Sequence, residues 1–242
     1  MKNFWLLLPV LLLAACAGEP PPVAIQEPLA AGLARGIDLP IDSRDVSMEL
    51  KGSRIDFVAR YYRDPASRWP TLTQAEAKTL SAGGMRIVAV WESHSHRPDY
   101  FSYASGYADG MSAYRQAKGI AQPAGSAIYF AVDFNAQEPD IRGVVDPYFR
   151  GVLAGYKAAS GGSPEYRIGA YGSGAVCAYL KRMRLVQYTW LSNSTAWNGY
   201  NGFTDWDIRQ GKRSSVVSFD HDSNEARGEY GGFQVPTEHA SL

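Results

Sequence analysis

Ala127-Ile128-Tyr129-Phe130-Ala131-Val132-Asp133-Phe134-Asn135 is the stretch whose reading decides the fold. Apolar residues run unbroken from 128 to 132 and then meet an acid. A short β-rich apolar run has the character of a strand buried on both faces, as in a parallel sheet wrapped by helices. A carboxylate at the C-terminal end of such a strand must be paired or must hold its proton. In barrels and doubly wound sheets that end is also where ligands bind. The plainer reading of Asp133 is a helix cap or loop acid, and the rest of the chain has to choose between the two.

Outward from this strand, β-rich and helical patterns alternate. Strands are expected over residues 36–39, 55–62 and 85–91 before it, and over 167–171 and 187–191 after it. The capping box Thr73-Gln74-Ala75-Glu76 opens a helix that Gly83-Gly84 stops. A second helix, about 99–117, closes at Gly119. A third, about 140–159, carries Val144, Val145, Tyr148, Phe149, Val152 and Leu153 at a helical period. A fourth starts at Ser173 or Gly174 and runs to about 185. Beyond 191 the periodicity is lost in a stretch rich in Asn, Gly and aromatics. Two last strands are then expected, at 206–210 and 215–220, on either side of the turn-forming Gly211-Lys212.

Strands alternating with helices imply right-handed βαβ units and a parallel sheet. Eight strands make a TIM-like (β/α) barrel the economical α/β arrangement. It should be helically incomplete, with about five β/α units followed by three bare strands. A doubly wound open sheet is the alternative, but no Gly-x-Gly-x-x-Gly follows the first strand, where Asp38-Leu39-Pro40 stands instead.

Several of these strands end in a carboxylate: Asp38 after the first, Glu92 after the third, Asp133 after the fourth, and Asp220 or Asp222 after the eighth. Parallel strands would bring all these ends to one rim, with Arg60, Tyr62, Tyr171, Trp190 and Gln210 among them. Two carboxylates across a sugar are what glycoside hydrolysis needs, one protonated and one ionised, and crowding separates their pKa values. Clustered acids also bind metals. His94 and His96 stand near Glu92, but His-x-His on a loop reads more simply as exposed polar surface, and no metal or other cofactor is implied.

Lys and Arg number 24, as do Asp and Glu, so the net charge is zero; this argues against broad electrostatic binding of nucleic acid. The apolar run over 4–15 is too short to span a bilayer and has the form of a signal-peptide core. It ends in Leu13-Ala14-Ala15-Cys16, which matches the bacterial lipobox with Cys16 as the lipid-accepting residue. Residues 1–16 are thus expected to be a lipoprotein signal peptide, 17–34 a Pro-rich tether and 35–242 the barrel domain. Membrane attachment through Cys16 implies the cell envelope. Ala17 rather than Asp follows Cys16, so in a Gram-negative host the outer membrane, facing the periplasm, is the expected site. The remaining thiol, Cys177, has no partner motif and reads as packing.

Gly36-Ile37-Asp38, Phe57-Val58-Ala59-Arg60-Tyr61, the opening stretch, Ile168-Gly169-Ala170-Tyr171-Gly172, Trp190-Leu191-Ser192 and Asp220-His221-Asp222 occur in an order and spacing that resemble the bacterial glycoside hydrolase-like domain family. That family is related to the family 25 lysozymes, muramidases with five β/α units followed by three strands. The resemblance covers roughly residues 35–227. It implies that Asp38 matches the lysozymes' strand-one acid, Asp133 their general acid, and Asp220 or Asp222 the acid near strand eight. Two departures stand out. The lysozymes carry Asp-x-Glu at the end of strand four, where this chain has Ala131-Val132-Asp133. Glu92 has no acidic counterpart expected at strand three.

Two functions follow as expectations. The first is hydrolysis of a glycosidic bond in cell-wall glycan, peptidoglycan or a related polysaccharide, with Asp133 the general acid and Glu92 or Asp38 its partner. The second is a non-catalytic glycan-binding module using Trp91, Trp190 and Trp197 as stacking faces. A structural or partner-binding envelope protein has no sequence signature beyond the lipid anchor.

Overall fold

The computed structural model describes residues 32–237. The leader, Cys16 and the tether up to residue 31 lie outside the described residues. Eight strands close into a barrel in chain order: β1 (Leu33–Asp38), β2 (Phe57–Tyr62), β3 (Arg86–Trp91), β4 (Ala127–Ala131), β5 (Arg167–Gly172), β6 (Tyr188–Leu191), β7 (Ile208–Arg213) and β8 (Asp222–Arg227). β1 to β7 are parallel, and β8 is antiparallel to both of its neighbours. The helices α1 (Ser47–Gly52), α2 (Gln74–Ala82), α3 (Tyr103–Gly119), α4 (Glu138–Asp140), α5 (Asp146–Ala159) and α6 (Gly174–Arg182) all lie in the first five connections. Only a short 3₁₀ turn, Tyr200–Gly202, interrupts the last two. The α/β barrel of five units followed by three strands is therefore the one the sequence pattern predicts.

Side chains alternate along each strand between two apolar layers. Phe57, Ala59, Val88, Val90, Ala127, Tyr129, Ala131 and Trp190 fill the barrel. Val58, Tyr62, Ile87, Ala89, Trp91, Ile128, Phe130 and Val132 face the helices. β4 is apolar throughout because both of its faces are covered. Inside, small residues sit against large ones: a Cβ on Gly36 would strike the Phe57 ring, and one on Gly169 the Tyr129 ring.

The helix layer is tightest between α3 and α5. Gly106 and Gly110 on α3 face Gly151 and Gly155 on α5, and a methyl at any of the four would meet backbone of the other helix. Two Gly-x-x-x-Gly steps thus let the backbones touch. The third predicted helix runs longer than one α segment, with α4 and α5 joined by a π-helical stretch, Ile141–Val145.

The C-terminal segment closes the bottom of the barrel. Tyr230 packs inside, the Tyr129 hydroxyl donates to its carbonyl at 2.7 Å, and the backbone of Phe233 pairs with Ile87. The C-terminal ends of β1 to β7 are left as the open mouth.

Three expectations need correcting. β1 begins at Leu33, inside the stretch assigned to the tether. The eighth strand is Asp222–Arg227, whereas residues 214–221 form a loop in which Val217 is buried. No helix covers β7 and β8, so β8 has a polar outer face, and the apolar run that looked like a strand is the loop packing on the core. Finally, Arg60 and Tyr62 point out of the barrel. The Arg60 side chain is fully buried against α2, where Nε bonds Glu76 Oε1 at 2.5 Å and Nη1 bonds the Leu39 carbonyl at 2.6 Å. The Tyr62 hydroxyl donates to Gln122 Oε1 at 2.7 Å. Both hold helices and loops to the sheet, and neither reaches the mouth.

Candidate active site

The mouth contains a cavity of about 320 Å³ lined by Asp38, Tyr61, Val90, Glu92, Ala131, Asp133, Tyr171, Trp190, Asn193, Ser194, Gln210 and Asp222. The acids expected after strands one, three and four thus meet, as do Tyr171, Trp190 and Gln210. Of the two acids left open near strand eight, Asp222 is present: it opens β8 and pairs across the ladder with Asp38. β8 runs the opposite way, so its beginning, not its end, lies on this rim. Asp220 lies outside this cavity on the exposed loop and pairs with Arg213 at 2.6 Å. Sequence reasoning missed Tyr61, Asn193 and Ser194. Tyr61 was recoverable from parity, since Phe57, Ala59 and Tyr61 share one face of β2. The loop carrying Asn193 and Ser194 has no period to read.

Asp38 is the most firmly positioned of the acids. It is 7 % exposed, and its Oδ2 accepts from Asn224 Nδ2 at 2.7 Å and from Gln210 Nε2 at 3.2 Å. Asn224 is itself fixed by the Trp190 indole, which donates to its Oδ1 at 2.9 Å. Gln210 Oε1 accepts from the Tyr171 hydroxyl at 2.9 Å. Burial pushes the Asp38 carboxyl up to about 6, against the lowering effect of these donors and with a further push from Asp222.

Glu92 follows β3. Burial, followed by the repulsion of Asp133, raises its carboxyl to about 7; Arg63 opposes the shift. Its only hydrogen bond to a side chain among the described residues is a long one, from Ser95 Oγ at 3.5 Å. Asp133 is raised by burial and lowered by His96. Its amide donates to the Ser95 carbonyl at 2.9 Å, which ties the β3 and β4 loops together. Asp222 is likewise raised by burial and eased by Asn193, whose Nδ2 donates to it at 3.4 Å. One cavity therefore holds four carboxyl groups that all bind protons more tightly than usual.

The departure at strand four has a structural counterpart. β3 and β4 pair Val90 with Tyr129 and Trp91 with Phe130, so one further step brings Glu92 level with Ala131. Where strand four lacks an acid at Ala131, one stands just past the end of the adjacent strand.

His94 and His96 are exposed, and among the described residues no group of three or more His, Cys, Asp and Glu is placed to hold a metal ion. Trp91 is buried on the helix side and Trp197 is half-buried outside the cavity, leaving Trp190 as the cavity's indole. Cys177 is fully buried, with its thiol pushed up to about 12 by desolvation, an unreactive group.

Comparison with known proteins agrees with this fold. YbfG, an uncharacterized protein of Bacillus subtilis, is 27 % identical over 164 residues, 63 % of this chain and 22 % of that protein. The chain thus spans about a fifth of the length of that curated relative. The Tat-secreted protein Rv2525c of Mycobacterium tuberculosis, crystallised with HEPES, superposes with a TM-score of 0.63 at 19 % identity over 83 % of this chain and 98 % of that one. A lysozyme from Streptomyces coelicolor superposes with a TM-score of 0.51 at 14 % identity over 81 % of this chain and 93 % of its own. Residues 48–237 match one family over most of the chain, and the protein belongs to it: the Rv2525c-like, glycoside hydrolase-like domain family.

Proposed function

We propose that this domain hydrolyses a glycosidic bond in cell-wall glycan, with Glu92 as proton donor and Asp133 as the ionised partner. The observation that carries this reading is the raised Glu92 carboxyl beside Asp133 in the mouth of the barrel. Like charges this close cannot both ionise easily, so near neutral pH the shared proton rests on the group with the higher affinity. That group is Glu92, which reverses the roles the resemblance implies for strand four. Glu92 would protonate the leaving oxygen while Asp133 attacks the sugar or activates water. Asp38, held by Asn224 and Gln210, is positioned to take a sugar hydroxyl or to balance positive charge developing on the ring. The likeness to a lysozyme fold supports the choice of cell-wall glycan.

The test is release of reducing ends from purified peptidoglycan. Wild type should release them, and Glu92→Gln and Asp133→Asn should each fall by about a hundredfold or more, the usual worth of a positioned acid or base. Equal release by all three proteins would remove the assignment.

An address in the envelope belongs to the same proposal and rests on the lipobox ending in Cys16. Labelled palmitate fed to the producing bacterium should appear on the protein and be lost in Cys16→Ser. Equal labelling of both would contradict it.

A further inference from the structure

Beside the catalytic cavity lies a second concavity of about 520 Å³, lined by Asp38, Pro40, Tyr61, Trp69, Arg213, Phe219, Asp220, His221 and Asp222. Asp38, Tyr61 and Asp222 line both, so the two are continuous. Trp69 comes from the β2–α2 connection and Phe219 from the β7–β8 connection. Because β1 lies between β2 and β8, the two rings approach the end of β1 from opposite sides.

Trp69 is 58 % exposed and Phe219 38 %. Large aromatic rings in water carry a hydrophobic cost, yet the loops presenting these two are pinned. The Ser218 hydroxyl donates to Glu49 Oε1 at 2.9 Å, Val217 is buried beneath, and Arg213 pairs with Asp220. The Trp69 amide donates to Ser67 Oγ at 3.2 Å, and the Thr71 hydroxyl to the Tyr61 carbonyl at 3.0 Å. His221, which lines the same concavity, is 4 % exposed; its Nδ1 meets the Phe219 carbonyl at 2.6 Å, and its Nε2 is buried without a hydrogen-bond partner. A buried ring nitrogen without a partner on the wall of a groove is a group that a ligand hydroxyl would satisfy.

We propose that this groove is a second sugar subsite, in which Trp69 and Phe219 stack on a pyranose ring of a glycan chain continuing out of the catalytic cavity, and His221 Nε2 bonds one of its hydroxyls. Flat apolar rings beside orienting polar groups suit a sugar, which has an apolar C–H face and a polar edge. The inference rests on the glycan reading above, though not on turnover.

The experiment is calorimetric titration of the full-length Glu92→Gln protein with chitobiose and chitotetraose, soluble β-1,4-linked N-acetylhexosamine oligomers. The tetramer should bind about tenfold more tightly than the dimer, the worth of one added stacking contact. Trp69→Ala and Phe219→Ala should each collapse that ratio toward one, whereas Trp69→Phe, which keeps a stacking face, should retain most of it. Both rings are exposed, and thermal melts of each variant verify the fold. An unchanged ratio in the alanine variants overturns the subsite, and this is also the result if the aromatics meet a protein partner. Binding of neither oligomer overturns the subsite and the glycan reading together. A wild type that binds with this length dependence but turns nothing over leaves the subsite standing and removes only the catalytic reading.

Discussion

Glu92 binds its proton in the fold far more tightly than an exposed glutamate, with a carboxyl raised from 4.5 to about 7. Linkage fixes the sign of the consequence. Between those two values the folded chain holds more protons than the unfolded chain, so Glu92 lowers stability as pH rises through the window. Asp38, raised from 3.8 to about 6, acts in the same direction over a lower range. Replacing Glu92 by Gln removes its part of this dependence. Glu92→Gln should therefore melt at a higher temperature than wild type at pH 8, with the gap closing toward pH 4. A gap independent of pH, or a less stable variant at pH 8, would show that Glu92 is not held neutral as described. Stability gained by losing the carboxyl proposed as proton donor is the trade expected of a functional site. Arg60 illustrates the opposite case. It is a buried charge that the fold does satisfy, through Glu76 and the Leu39 carbonyl, and its role is to hold α2 to the sheet.

At the scale of elements, the α3–α5 contact is the most sharply specified, because four glycines admit backbone where any Cβ would collide. Gly155→Ala should cost about 1–3 kcal/mol in denaturant unfolding, as overpacking does. Gly119→Ala, which has open space around its Cβ, should stay within about 0.5 kcal/mol of wild type. Equal effects of the two would mean that the helices can separate without loss. The strands and helices of the first five units were legible in the sequence because each has two distinct apolar faces to satisfy, one in the barrel and one under a helix. Where no helix covers the sheet, that signal disappears. β8 reads Asp-Ser-Asn-Glu-Ala-Arg, with Asn224 and Ala226 its two buried residues. Its position was therefore misplaced onto the apolar loop before it. The error at Arg60 and Tyr62 has another origin, since a one-residue change of parity carries every side chain of a strand to the other face.

At the scale of the whole fold, the described residues form a barrel with one end stoppered by the segment around Tyr230 and Phe233 and the other left open. Closure places the ends of β1, β3 and β4 and the beginning of β8 around one cavity. Four acids scattered over 185 positions of sequence thereby become neighbours, from Asp38 to Asp222. The sequence made this convergence legible as soon as eight strands were counted. It did not reveal which acid would carry the proton, because that depends on depth of burial and on the Glu92–Asp133 repulsion, which only the folded chain determines. The central claim, that Glu92 donates a proton to a glycosidic oxygen, is tested most directly by the pH dependence of kcat/KM for release of reducing ends from purified peptidoglycan. Activity should fall on the alkaline side with a midpoint near 7, set by the proton on Glu92. In Glu92→Gln the rate should be lower by about a hundredfold or more, with that limb gone. No release by wild type at any pH, or an unchanged alkaline limb in Glu92→Gln, would contradict this role for Glu92.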